Sequence, residues 1–253
     1  MDYDALLDLS VDIGCGLLLS GAEIYRAEDS LRRLLGAYGL RNAEVFAIPN
    51  CIIAGITTPE GRPITRIRRV PGHGTDLQRL ELYNELCRTL CRETPSPEAA
   101  REMIAQTEAQ RREYSPVLRF FGHFLGAAAF SLFFGGSLRD ALCGGICGLA
   151  IALILGFLQR LDTSAFFRTL VAAAASAALA LTLVRLGLGA NLDAVTIGAF
   201  MVLTPGVALT NSMREFMAGD MVSGMSHLTE ALLIATAIAL STGVVLALGG
   251  AAL

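Results

Sequence analysis

Proline and glycine interrupt an apolar stretch of this chain at a position where the break has chemical consequences. The stretch begins as an apolar helix at Ala194 and meets Thr204-Pro205-Gly206 ten residues later. Proline has no amide hydrogen and its ring crowds the preceding turn, so the helical hydrogen-bond ladder must open there. At about 1.5 Å per residue the break lies roughly 15 Å deep, near the middle of a hydrocarbon core. Thr204 and Pro205 also match an N-cap and first-turn pair, so a second helix can begin at the break.

A broken transmembrane helix offers a binding site that an intact helix lacks. The free amide groups and the positive end of the second half-helix can hold an anion such as a carboxylate. The alternative is a simple kink, because proline is common in transmembrane helices and neighbouring groups often repair the ladder. We predict that the substrate contacts are Thr204, Pro205, Gly206, Asn211 and Arg214.

Ionisable side chains in or near the apolar segments could couple transport to protons. Charges inside a bilayer are costly, so those at depth must face a cavity or a partner. We predict that a gate or proton relay includes Glu215, Asp220, Glu230 and His123, and His227 lies in the same part of the sequence as the three acids. Snorkelling of these groups to the membrane surface is the alternative.

The elements that must position these residues belong to a chain with a polar first part and an apolar second part. Residues 1–116 carry 14 of the 20 arginines and 17 of the 23 acidic residues. The mean hydropathy of +0.55 is too high for an ordinary soluble protein. We predict an α-helical membrane protein, with a small cytoplasmic α+β domain at 1–114 and a membrane domain at 115–253. The net charge of −3 argues against a nucleic-acid partner.

Five apolar segments are long enough to cross a lipid bilayer. They are Val117–Phe134, Leu138–Leu158, Ala165–Leu186, Leu192 to about Met213, and His227–Leu248. Arginines flank one side of these segments at 111, 112, 160, 168 and 214, and the other side only at 139 and 185. The positive-inside rule therefore predicts a multi-pass protein of the inner or plasma membrane, with the amino terminus in the cytoplasm and the carboxyl terminus outside. The acidic, amphipathic first residues predict no cleaved signal peptide.

Glycines spaced four apart predict close packing of the first two membrane helices. The pairs are Gly122 with Gly126 and Gly144 with Gly148. Such faces pack helices within one bundle or between copies of a chain, so a homo-oligomer is a further expectation.

The first domain is predicted to contain two helices, three strands and two more helices. The strands are expected at Glu44–Ile48, Cys51–Thr58 and Arg62–Val70, with a hairpin turn at Pro59-Glu60-Gly61. On the second helix, the cluster of Glu23, Arg26 and Glu28 is interpreted as a surface ion-pair set.

Arginines on the third strand, among them Arg66 and Arg69, leave two interpretations open. They could bind an anionic ligand, or they could pair with the acidic face of the first helix at Asp4, Asp8 and Asp12, which we favour. Six cysteines without metal-ligand spacing predict reduced core residues, and no metal or cofactor is expected.

Four motifs of this chain, in the same order, resemble the threonine/serine exporter family. They are SGAEIYRAEDSLRRL, TRIRRVPG, FSLFFGGSLRDAL and TPGVALTNSMREFMAGDMVSGMSHLTEALLIA. The resemblance covers almost the whole chain. It departs from the family pattern at Glu215, where an aspartate is expected after the arginine.

The resemblance implies a secondary exporter of small carboxylate metabolites, either hydroxy-amino acids such as threonine and serine or dicarboxylates such as succinate. Full-length members carry a second membrane half, so this chain resembles the larger subunit of a split exporter with a small, all-helical membrane partner. The alternative function is a ligand-sensing regulatory membrane protein whose cytoplasmic domain binds an anion. A membrane-tethered hydrolase using His73 and Cys51 is a weaker alternative, since no nucleophile or ligand motif accompanies them. We therefore expect a protein that is not an enzyme.

Overall fold

The computed structural model describes residues 2–40, 42–72, 74–112, 114–161 and 163–250. His73, which the hydrolase interpretation used, lies outside these residues. The strands are β1 (Glu44–Ile48), β2 (Cys51–Thr57) and β3 (Pro63–Arg69). The helices are α1 (Tyr3–Leu19), α2 (Ile24–Ala37), α3 (Leu77–Glu93), α4 (Pro97–Ala109), α5 (Pro116–Phe133), α6 (Leu138–Gln159), α7 (Ala165–Arg185), α8 (Leu192–Phe200), α9 (Gly206–Ala218) and α10 (Met221–Gly250).

The chain divides into two compact units, and each unit is built from two separate stretches of sequence. The amino-terminal unit comprises Met1–Glu113 and Val207–Leu228. The membrane unit comprises Tyr114–Gly206 and Thr229–Leu253. Most of α9 and the start of α10 therefore cluster with the amino-terminal unit, a grouping that the sequence patterns did not predict.

Helix α1 organises the core of the amino-terminal unit. Its start is fixed by Asp2, whose side chain accepts a hydrogen bond from the amide of Ala5 at 2.9 Å. It contacts α2, α3, α4, β2 and β3. A glycine is required at position 16, because a Cβ there would lie 2.1 Å from the ring of Tyr83 in α3. The apolar run of α1 is thus explained by burial on nearly all sides.

The three strands form one antiparallel sheet in the order β1-β2-β3. Alternate residues such as Val45, Ile52 and Ile64 are buried in the core, whereas Ile67 is exposed. This alternation is typical of a sheet covered on one face.

Arginines of β3 pair with the acidic face of α1. Arg66 lies 2.7 Å from a carboxylate oxygen of Asp4 and 2.7 Å from one of Asp8, and Arg68 lies 2.6 Å from Asp12. The pairing that we favoured over anion binding is therefore present. Arg69 is exposed and forms no ion pair with a carboxylate that the structure describes.

Arg79, Tyr83 and Glu108 connect α3 to α4. The Tyr83 hydroxyl donates to Oε1 of Glu108 at 2.5 Å, and Nε of Arg79 donates to the same oxygen at 3.1 Å. Burial alone would raise the pKa of Glu108, but the hydrogen bonds from Tyr83 and Arg79 outweigh it and lower that pKa. Burial and the hydrogen bond to Glu108 together raise the pKa of Tyr83 to about 12.

Acid is expected to destabilise the amino-terminal unit through Glu108. Because its pKa is lower in the folded state, its stabilisation is complete above the unfolded-state pKa and is lost as the pH falls through the folded-state value. Glu108→Gln should lower the melting temperature at neutral pH. The melting temperature of this variant should also change less with pH below about 5 than that of the wild type. Circular dichroism melts of the full chain in detergent would measure this. The exposed Glu85, which pairs with Arg88 on the surface of α3, supplies the control Glu85→Gln. An unchanged acid sensitivity in Glu108→Gln would contradict the assignment.

Small residues let α5, α6 and α8 pack closely in the membrane unit. A Cβ at Gly144 would lie 2.0 Å from the hydroxyl of Ser131, and a Cβ at Gly148 would lie 2.5 Å from the carbonyl of His123. The close packing predicted for this glycine pair is therefore confirmed. Gly122, in contrast, faces open space within the described chain.

Asp140 joins two loops of the membrane unit. Its carboxylate is buried, and one oxygen accepts hydrogen bonds from the amide and the hydroxyl of Ser137 at 2.8 and 2.7 Å. The other oxygen accepts from the amides of Ala190 and Asn191 at 2.6 and 2.9 Å. Asp140 thus caps α6 and fixes the loop before α8.

Among the residues that the structure describes, four helices are long and apolar enough to cross a membrane, namely α5, α6, α7 and α10. The prediction of five spans is therefore not confirmed. The predicted fourth span consists instead of two shorter helices, α8 with 9 residues and α9 with 13. Neither of them alone reaches the roughly 20 residues that a bilayer requires.

Gly198→Ala is expected to destabilise the membrane unit. A Cβ at this position of α8 would lie 2.4 Å from the amide nitrogen of Ser131 and 2.6 Å from its Cα, so backbone must move. Overpacking of this kind costs about 1 to 3 kcal/mol. Thermal unfolding in detergent would measure the loss, with Gly122→Ala as the matched control in open space. Equal melting temperatures for the two variants would contradict the packing described here.

Candidate functional site

The apolar helix α8 ends at Phe200, and five residues separate it from Gly206, where α9 begins. The amides of Leu203 and Thr204 both donate to the Phe200 carbonyl, at 2.8 and 3.0 Å, and the Thr204 hydroxyl donates to the same oxygen at 3.0 Å. These bonds close the end of α8 before Pro205. Thr204 therefore caps the carboxyl end of α8. The sequence had predicted instead that Thr204 would be the N-cap of the following helix.

Helix α9 carries a carboxylate into a fully buried position. Glu215 has no exposed surface, and Ser212, one turn earlier, is equally buried. Both residues belong to the amino-terminal unit. Because a buried charge is tolerated only when it is paired and hydrogen-bonded, the partners of Glu215 determine what it can do.

Glu215 is held by a histidine and by the amino end of a helix. Its Oε2 lies 2.8 Å from Nδ1 of His227 on α10, a side chain that is itself buried. Its Oε1 accepts a hydrogen bond from the amide of Ile24, the first residue of α2, at 3.4 Å. The amide and the helix dipole both favour a negative charge at this point.

A second carboxylate, that of Glu23, immediately precedes Ile24 at the start of α2. Oε1 of Glu23 lies 2.6 Å from Nη1 of Arg214, and its other oxygen pairs with Arg26. Glu23 is only 6% exposed. The predicted ion pair of Glu23 with Arg26 is therefore present, but its predicted position on the surface is wrong, because Arg214 and the fold around α2 enclose Glu23.

Glu28, the third member of the predicted set, lies outside this cluster. It pairs with Arg32 at 2.7 Å and accepts a hydrogen bond from the amide of Ala47 at 2.8 Å. Its role is to attach β1 to α2.

The other predicted relay residues occupy different positions. Asp220 accepts a hydrogen bond from the amide of Ser223 at 3.2 Å and so caps the start of α10. Glu230 and His123 belong to the membrane unit. Nδ1 of His123 lies 2.8 Å from the backbone carbonyl of Arg119.

The predicted substrate contacts are also divided between the units. Thr204, Pro205 and Gly206 belong to the membrane unit, whereas Asn211 and Arg214 belong to the amino-terminal unit. The Asn211 side chain is half-buried and makes no hydrogen bond to a residue that the structure describes. Its amide is therefore available to a ligand.

The sequence patterns did not predict two contacts, the ion pair of Glu23 with Arg214 and the hydrogen bond of Glu215 with the first amide of α2. The partners are 191 positions apart in both cases. Opposite charges in two separate motifs were the available signal, but no spacing rule links residues at such a distance. The contact between Glu215 and His227 was easier to anticipate, because the two residues are 12 positions apart and the sequence analysis noted both in the same part of the chain.

Within the described ranges, no three His, Cys, Asp or Glu side chains come together as a metal site would require. The six cysteines are free thiols, and three of them are buried.

Comparison with known proteins identifies the family of this chain. It is 22% identical over 246 residues to a Mycobacterium tuberculosis protein named a probable threonine/serine exporter, an alignment that covers 97% of this chain and 46% of the relative. It is 23% identical over 244 residues to the threonine/serine exporter of Corynebacterium glutamicum, which covers 94% of this chain and 50% of the relative. The chain thus spans about half the length of these relatives. No solved structure matches it.

The family model of threonine/serine exporters matches residues 8–249, which is nearly the entire sequence. The match includes the α8–α9 break, the Arg214-Glu215 pair and the start of α2. The chain therefore belongs to the threonine/serine exporter family.

Proposed function

We propose that this chain is one subunit of a secondary exporter that moves small carboxylate metabolites out of the cytoplasm. The observation that carries the proposal is the family match over residues 8–249. The substrate class is threonine- or serine-type amino acids, or dicarboxylates such as succinate. The relatives that are named threonine/serine exporters support the amino-acid members of this class first.

The substrate contacts in this proposal are those predicted from the sequence, in the segment that follows α8 and on α9. Thr204, Pro205 and Gly206 provide the interrupted backbone, and the free amide of Asn211 provides a hydrogen-bonding group on α9. Arg214 adds a planar cation that can form a bidentate pair with a carboxylate. Its present partner is Glu23, and its side chain remains 56% exposed, so a substrate can approach it.

The coupling step is assigned to Glu215 and His227. Both are buried, and they lie within hydrogen-bonding distance of each other. Histidine is the side chain that most readily changes charge near neutral pH. A proton taken up by this pair weakens the attraction between Glu215 and the amino end of α2, and this change connects protonation to the position of α9.

A second membrane subunit completes the exporter in this proposal. The chain covers about half of the relatives' length, and the other half of each relative would be supplied by a small helical partner. The amino-terminal unit lies in the cytoplasm in this proposal, as the distribution of flanking arginines favours. The carboxyl terminus lies outside because, in this proposal, α8 and the segment that follows it make a fifth, shorter crossing between α7 and α10.

The sensor function receives less support. The anion-binding site that it requires included Arg66, and this residue is paired with Asp4 and Asp8. A ligand would have to displace both carboxylates before it could bind.

Efflux of labelled threonine, serine and succinate tests the proposal. Cells that express this chain together with a candidate partner should lose at least one substrate faster than cells expressing either protein alone. Retention of all three substrates at the control rate, with both proteins present in the membrane, would overturn it. Binding of an amino acid to the full chain without efflux would favour the sensor function instead.

A further inference from the structure

A cationic cavity lies among α5, α6 and α7, apart from the residues assigned to transport. Its volume is about 760 Å³, and all of its lining residues belong to the membrane unit. Arg119, Arg160 and Arg168 line it, one from the start of α5, one from the end of α6 and one from the start of α7. Three positive charges therefore meet at the helix ends on one side of the bundle.

These arginines are not neutralised by the described part of the chain. None of the three forms an ion pair with a carboxylate in the described ranges, although most arginines of the amino-terminal unit do. Asp162, the nearest acidic residue in sequence, lies outside those ranges. Three arginines that line one cavity, with no described carboxylate paired to them, would stabilise an anion bound there.

Two further polar side chains line the cavity. Thr169 is 7% exposed, yet its hydroxyl makes no hydrogen bond to any residue that the structure describes. Nδ1 of His123 faces the Arg119 carbonyl at 2.8 Å, which leaves its other ring nitrogen for a ligand. The Thr169 residue lines the cavity, and a bound oxyanion would give its hydroxyl a hydrogen-bond partner.

The rest of the cavity wall is apolar. Phe120, Leu153 and Phe157 line it, and the last two expose 60% and 64% of their surface. A free amino acid fits such a lining poorly, because its ammonium group would meet three arginines and no described carboxylate. A ligand with a negative head and an apolar tail matches both parts of the wall.

We propose that this cavity binds the headgroup of an acidic phospholipid. The phosphate lies among Arg119, Arg160 and Arg168 and accepts a hydrogen bond from Thr169, and the acyl chains follow the apolar wall. Basic pockets between helix ends are suited to acidic headgroups at the membrane surface. The site is distinct from the α8–α9 break and from Glu215, so it goes beyond the proposed transport function.

Native mass spectrometry of the full chain in detergent, titrated with phosphatidylglycerol or phosphatidylcholine, tests this site. The wild type should bind the acidic lipid preferentially. In the double variant Arg119→Gln/Arg168→Gln the apparent affinity should fall at least about tenfold, because each arginine contributes about 1 kcal/mol. Arg139→Gln, which removes an exposed arginine from the first turn of α6, is the matched control and should bind as the wild type does.

Two outcomes would overturn the proposal. One is equal affinity for phosphatidylglycerol in the wild type and the double variant. The other is displacement of the lipid by inorganic phosphate at a similar concentration, which would identify a site for soluble anions. If the double variant does not fold, the single change Arg160→Gln at the exposed end of α6 should still weaken lipid binding about fivefold. Transport is not needed for any of these readouts.

Discussion

Glu215→Gln is expected to abolish efflux while the protein remains folded. The side chain of glutamine has nearly the same shape, and its carbonyl oxygen can still accept the hydrogen bond from the Ile24 amide. It cannot carry a negative charge or take up a proton. If Glu215 and His227 couple transport to protons, efflux should therefore fall at least about tenfold, and its dependence on external pH should disappear.

Glu215→Ala separates this effect from a loss of structure. Alanine removes the oxygen that accepts from the Ile24 amide and the carboxylate that faces His227. Leaving a buried amide without its hydrogen-bond acceptor typically costs about 1 to 3 kcal/mol, so this variant should melt at a clearly lower temperature than Glu215→Gln. Thermal unfolding in detergent and efflux of labelled threonine measure the two effects independently.

The exposed Glu85 provides the control for both variants. It pairs with Arg88 one turn away on α3, and surface pairs of this kind contribute about 0 to 1 kcal/mol. Glu85→Gln should leave efflux and stability unchanged. If Glu215→Gln transports with the rate and pH dependence of the wild type, Glu215 has a structural role only and the coupling step lies elsewhere.

The regular elements of this chain were predictable because local patterns determine them. The strand predicted at Glu44–Ile48 is β1 with the same bounds, and the helix predicted from Ala165 begins at that residue in α7. Alternation of apolar residues and capping serines carry these signals over short distances. The Ser137–Asp140 capping box, for example, lies within four residues of sequence.

The number of membrane spans could not be read in the same way. Hydropathy counts the apolar residues between Leu192 and Met213 but does not show where the helical hydrogen bonds end. Pro205 marked the place of the break, yet it did not show that Val207–Leu228 would cluster with the amino-terminal unit. That grouping depends on the burial of Glu215 against α2, a contact between distant parts of the chain.

The candidate site was predictable only as separate residues for the same reason. Arg214 was predicted to bind substrate, and Glu23 was placed in a different motif. The ion pair between them turns two local patterns into one site. Glu23 is buried, and the two arginines that pair with it come from its own segment and from α9.

Asn211→Ala is expected to reduce efflux at least about tenfold with little change in stability, since a lost ligand hydrogen bond of about 1.5 kcal/mol has that effect. The side chain makes no hydrogen bond to the described protein, so its removal should change the free energy of unfolding by less than about 0.5 kcal/mol.

Pro205→Ala should also abolish efflux while the protein still inserts, because alanine restores the amide hydrogen and lets the helical hydrogen bonds continue past position 205. Efflux assays on membranes with matched protein content measure the effect of Asn211→Ala and of Pro205→Ala.

Asn211→Asp then tests the charge of the ligand. Aspartate has almost the same size, but its negative charge would repel a substrate carboxylate at this position, so the loss of efflux should be larger than in Asn211→Ala. A substrate held here by its ammonium group would instead be retained, and efflux would exceed that of the alanine variant. Asn42→Ala, at an exposed asparagine outside the helices, is the control. Efflux at the wild-type rate in both Asn211→Ala and Pro205→Ala would place the substrate away from the break, because neither the free amide nor the open backbone would then contribute to binding.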